Sequence, residues 1–153
     1  MAYLLDGLQD PDSQSMAAKF LGELKASESV RPLIQLLRAG DKATRSSAAE
    51  ALAEIGDTEA VPDLIERLRL EDEVVPRTFA IMALGKLRDE RALNPLCELL
   101  SDEDVLIRQS AANALGVLGH PGAVEPLRIA AAKERWYDRG RHRQALKKLR
   151  ASS

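Results

Sequence analysis

The sequence predicts an all-α protein: an α-solenoid in which antiparallel helix hairpins of about 31 residues stack into a right-handed superhelix. Three observations predict it. A phrase returns, since "RSSAAEALAEIGDTEAVPDL" at 45–64 and "RQSAANALGVLGHPGAVEPL" at 108–127 share ten of twenty positions. Columns of apolar residues run the length of the chain: Leu21, Leu52, Leu84, Leu115 and Leu146 stand 31, 32, 31 and 31 residues apart. Composition agrees, with 45% apolar residues but only 3% aromatic, so Ala and Leu carry the apolar share. Those two residues suit close-packed helices better than strands.

The elements follow in chain order within a single repeat domain. Residues 1–9, with Leu4, Leu5 and Leu8, read as a capping helix. Four full repeats occupy 10–40, 41–71, 72–102 and 103–133, and 134–153 forms a capping half-repeat. In each repeat a first helix carries the columns Ala17, Ala48, Ala80, Ala111 and Leu24, Ile55, Leu87, Leu118, Leu149 beside the leucine column above. A second helix carries Val30, Val61, Leu93, Val124 and Leu33, Leu64, Leu96, Leu127. Spacings of three and four residues put each set on one helical face. Between the two helices of the second repeat, Gly56 suits the left-handed position that ends a helix, and Pro62 fits the first turn of the next. Gly22, Gly85 and Gly116 fall inside first helices, where glycine costs about 1 kcal/mol against alanine. A neighbouring helix passing close by would compensate.

The first-helix phrase, with Arg45 and Arg108 ahead of "AAEALAEIG" and "AANALGVLG", resembles HEAT repeats, and within them the short bacterial and archaeal type named after phycobilisome lyases. The likeness covers residues 10 to about 150. It implies that Arg45, Arg77, Arg108 and Arg139 bond between neighbouring repeats, with Asp41, Glu73 and Asp104 four residues ahead of three of them. It also implies that second helices line a concave face that meets a partner. Two departures stand out: Gln14 replaces the arginine in repeat one, and Arg128 replaces the core residue that is Ile34, Ile65 or Cys97 elsewhere.

Charge and chemistry narrow the function. Net charge is −2, so nothing draws the whole molecule to nucleic acid or anionic lipid. Residues 133–153 hold eight Lys or Arg against two acids, +6, which leaves −8 elsewhere. A lone Cys97 excludes an internal disulfide and reads as an inert core residue, there being no base beside it. No basic start runs into a long apolar stretch and no apolar run spans a membrane, so the expectation is a cytoplasmic protein with no membrane partner. His120 reads as a turn residue and His142 as a solvated helix residue. HEAT-like deoxyhypusine hydroxylase binds iron through His-Glu pairs directly after the first-helix arginine. Those slots here read Ser46-Ser47, Thr78-Phe79 and Gln109-Ser110, so no metal and no cofactor is expected.

The reading is therefore a non-enzymatic scaffold or adaptor that binds an unidentified protein or peptide. Its expected surface is Arg31, Gln35, Arg38, Glu66, Arg67, Arg69, Asn94 and Glu98 on the second helices, a mixed-charge set with interleaved leucines. One alternative is an enzyme subunit, a bilin lyase component acting on phycobiliproteins with a phycocyanobilin-type tetrapyrrole; it rests on the resemblance. Another is nucleic-acid binding through a secondary basic patch of Arg135, Trp136, Arg139, Arg141 and Arg143. Acidic balance elsewhere in the chain weighs against nucleic acid, and the same patch reads as an end cap.

Overall fold

The computed structural model describes residues 2–133 and 140–151. Ten α-helices follow one another, with no strand among the described residues. They are α1 (Ala2–Gly7), α2 (Gln14–Glu23), α3 (Val30–Ala39), α4 (Lys42–Ile55), α5 (Val61–Leu70), α6 (Val74–Leu87), α7 (Leu93–Glu98), α8 (Val105–Leu118), α9 (Val124–Lys133) and α10 (Gly140–Ala151). Short 3-10 turns lead into α3, α5, α7 and α9, and another extends α7 through Ser101. The pairs α2–α3, α4–α5, α6–α7 and α8–α9 are the four hairpins that the columns predict.

Local chemistry sets the boundaries. Asp41 caps α4 by accepting from the Thr44 N–H at 2.7 Å, and Asp104 caps α8 by accepting from Leu106 and Ile107. The Thr44 bonds hold the Asp41 carboxyl below its ordinary range. α4 ends at Gly56 with φ +83°, the left-handed conformation expected there, and Gly119 ends α8 in the same way. At the turns into α5, α7 and α9 one column of side chains, Asp57, Asp89 and His120, accepts from the N–H two residues on. His120 is thus the turn residue expected. Its Nδ1 is the acceptor.

The core is a continuous stack of leucine and alanine along all four hairpins. Leu21, Leu52, Leu84 and Leu115 are fully buried, as are Leu33, Leu64, Leu96 and Leu127 on the second helices. Cys97 packs half-buried against that core, and burial raises its thiol pKa. Glycine lets the first helices touch. A β-carbon at Gly22 would stand 2.6 Å from Ala51 Cα, one at Gly85 2.8 Å from Ala114 Cα, and one at Gly116 2.9 Å from Ala145 Cα. The close approach expected at these three glycines is present.

Two sequence expectations fail here. Leu24 belongs to a core column by spacing, yet it is 59% exposed. Phe20, one turn earlier, stands in the column of Ala51, Ala83 and Ala114, which meets the preceding first helix; at this end only the six-residue α1 lies alongside, and Phe20 is exposed too. His142 is not solvated but fully buried, because α10 turns its Ala17–Ala48–Ala80–Ala111 position into the stack. α10 packs on α8 and α9 and also buries Ala145 and Leu149.

Candidate protein-binding faces

The arginine column is the first polar site. Arg45 donates from Nε and Nη2 to the two carboxylate oxygens of Glu71, at 2.5 and 2.9 Å, and from Nη1 to the Gly40 carbonyl at 2.8 Å. Arg77 pairs with Asp102 at 2.9 Å and donates to the Leu68 carbonyl. Arg108 donates to the carbonyls of Asp102 and Glu103. Each arginine therefore reaches back to the end of the preceding repeat, and Arg45 and Arg77 also hold an acid that closes their own repeat. Burial works to raise the pKa of Glu71, but the Arg45 bonds and the Glu73 N–H outweigh it and leave the carboxyl below the usual range.

The acids four residues upstream are not these partners. Asp41 and Asp104 are used up as helix caps, while Glu73 lies 3.9 Å from Lys42 of the repeat before. Glu71 and Asp102 are themselves 31 residues apart, so the column that reveals the fold could also have revealed them.

The expected binding residues lie on the second-helix face. Arg31 and Arg38 are exposed but engaged across the repeat boundary, with Glu59 at 3.2 Å and Asp63 at 2.5 Å. The Asp63 carboxylate raises the Arg38 pKa. Arg38, Glu66 and Arg69 come together with Pro62, Asp63, Ile65 and Leu70 around a cleft of about 400 Å³ between α3 and α5. Gln35 is exposed on α3; Arg67 is half-buried, and its charge acts on Glu71. Asn94 and Glu98 are exposed on α7, outside that cleft. The unusual Arg128 is exposed and pairs with Glu125 at 2.7 Å, so α9 keeps Leu127 and Ala130 as its buried residues.

Spacing distinguishes the two faces. First helices, meeting through glycine and alanine, approach one another much more closely than the leucine-bearing second helices do. In the basic segment Arg141 and Arg143 are exposed on α10, while Arg135, Trp136 and Arg139 lie outside the described residues.

Comparison with known proteins settles the family. The model for HEAT repeats matches residues 1–79 and 70–147, nearly the whole chain. This chain belongs to the HEAT-repeat family. Among curated proteins none matches it. Of solved structures, the CpcE–CpcF complex of phycocyanin lyase from Nostoc sp. PCC7120 is similar with a TM-score of 0.79 and 26% identity, over 95% of this chain and 63% of that one. This HEAT protein thus spans less than two thirds of the lyase chain it matches. An engineered protein (TM-score 0.64, 20% identity, 98% and 79% covered) and human deoxyhypusine hydroxylase (0.53, 16%, 98% and 84%) share the fold. Among the described residues no group of three or more His, Cys, Asp or Glu could hold a metal ion, and no helix is long and apolar enough to cross a membrane.

Proposed function

We propose that this HEAT-repeat chain is a protein-binding scaffold without chemistry of its own, and that Arg31, Gln35, Arg38, Glu66, Arg67, Arg69, Asn94 and Glu98 on the second helices meet the partner. The cleft between α3 and α5 carries this reading. It gathers two arginines, two acids and the apolar Ile65 and Leu70 at one opening. Mixed charge around an apolar floor suits a peptide or protein surface.

Affinity capture from lysate with and without nuclease treatment tests it, with Arg69→Glu run beside the parent. That variant leaves the Arg38–Asp63 pair intact, and circular dichroism confirms its helicity. A protein retained by the parent and lost with Arg69→Glu supports the reading. Equal retention by both, or retention that disappears with nuclease, overturns it.

A second reading has its own observation, the 26% identity to a phycocyanin lyase chain over 95% of this one. If the chain is a lyase component, mixing it with phycocyanobilin shifts the visible absorbance of the pigment. An unchanged spectrum sinks that reading.

A further inference from the structure

The two ends of the stack differ in chemistry. In the second repeat Ala51 and Ser47 meet the preceding first helix, Ala51 against Gly22 and Ser47 by a 2.7 Å bond to Ser15. Phe20 and Met16 hold the same columns on α2, where they are 47% and 65% exposed. Between α1 and α2 a cleft of about 320 Å³ opens, lined by Tyr3, Leu4, Met16 and Phe20 together with two acids, Asp6 and Asp10. Those acids and Asp12 are the only charged side chains of residues 1–18.

At the other end the cations gather. Arg143 and Lys147 continue the columns of Ala112 and Gly116, and Gly116 is where α8 meets α10. The equivalent side of α10 therefore looks out of the stack, with no described helix beyond it, and Arg150 extends it by one turn. All three side chains are exposed, and α10 contains no acid. Among the described residues nothing forms an ion pair with Arg143, Lys147, Arg150 or Asp6.

We propose that a second copy of this chain docks the outer side of its α10 on the α1–α2 end, so that the molecule associates head to tail. Within the stack these are the two sides that join one first helix to the next, so the contact prolongs the solenoid. Lys147 and Phe20 stand where glycine and alanine meet elsewhere, and the helices accordingly seat further apart. The stems of Lys147 and Arg143 lie over Phe20 and Met16, and their charges meet Asp6 and Asp10. The other pairings oppose like charges, cations for α10 against α10 and acids for α1–α2 against itself. Two different surfaces meet, so the contact is heterologous and leaves one free end of each kind. It uses none of the second-helix residues and does not depend on the scaffold reading.

Sedimentation equilibrium of the full chain tests it. The mean mass is expected to rise from one chain toward two between about 10 µM and 1 mM, because one helix end on another buries less than the roughly 1,000 Å² of a stable interface. The rise should shrink as salt is added. Asp6→Lys with Met16→Lys, and separately Arg143→Glu with Lys147→Glu, are each expected to weaken association about tenfold. Mixed in equal amounts the two variants should recover it, because one keeps the parental α10 side and the other the parental α1–α2 end. All four positions are exposed, and unchanged circular dichroism shows that the variants fold. A parent that stays single throughout, association unaltered in both variants, or no recovery on mixing overturns the proposal. Loss in the Asp6 and Met16 variant alone would mean that the α1–α2 end pairs with itself, and would overturn it as well. Arg69→Glu is expected to associate as the parent does, which keeps this result separate from that of the second-helix site.

Discussion

The two rows of helices solve the same stacking problem with different chemistry. First helices meet through Gly22, Gly85 and Gly116 set against alanine backbone, a contact with no spare volume. Second helices stand further apart on leucines and are joined at the surface by the exposed pair Arg31–Glu59. Tight packing tolerates almost no substitution, whereas solvated ion pairs contribute little and are readily exchanged. The first-helix row is thus where sequence is constrained by stacking, and the surfaces free to acquire partners are its outward positions and the second-helix face. Between the rows sits the arginine column, which ties each repeat to the one before.

The comparison breaks most visibly at the glycines. Gly85→Val places a β-carbon 2.8 Å from Ala114 Cα and 2.9 Å from its carbonyl oxygen, both backbone atoms that cannot swing away. Urea unfolding should show a loss of about 3 kcal/mol, at the upper end of overpacking costs. A midpoint equal to the parent's would mean that this contact does not hold the row.

Next in size is the arginine column. Glu71 is nearly buried, with 4% of its side chain exposed against 18% for Arg45. Glu71→Ala leaves Arg45 without its bidentate partner and should cost about 2 kcal/mol, less than a fully buried pair. Arg31→Ala, which removes the exposed Arg31–Glu59 pair between the first and second repeats, should leave the urea midpoint where it is. Equal losses in the two variants would erase the distinction drawn between tie and surface pair.

Acid separates them further. The folded pKa of Glu71 lies below its unfolded value, so its contribution is complete above the unfolded value and is lost as pH falls through the folded one. Parent and Glu71→Gln should therefore differ most near neutral pH and converge as urea midpoints are followed down through the carboxylate range. A constant gap at all pH values would assign the stabilisation to something other than the ionised carboxylate.

The smallest effect belongs to the outward positions. Leu106→Ser should change stability by no more than about 0.5 kcal/mol, although Leu115 on the same helix is fully buried. A large loss at Leu106 would show that its side chain belongs to the core and not to the surface.

Much of this molecule was written in one-dimensional spacing. The hairpins, the leucine and alanine columns, the left-handed Gly56, the Pro62 turn and the three close-approach glycines follow from periods of 3.6 and about 31, because each is decided by a few neighbouring residues repeated in register. The polar site was less legible. Arg45 takes Glu71, 26 residues away, and Arg77 takes Asp102, 25 away, while the nearer Asp41 and Asp104 are consumed by their own helix caps. A short-range cap and a long-range ion pair compete for the same residue type, and only the stacked structure shows which wins. Leu24 and His142 have the same cause in opposite directions, since column membership places a side chain on a helix face while the neighbouring helix decides whether that face is covered. So it is with the two rows. The sequence by itself determined that glycine and alanine lie on one and leucine on the other, and the tertiary structure turned that difference in size into a difference in spacing.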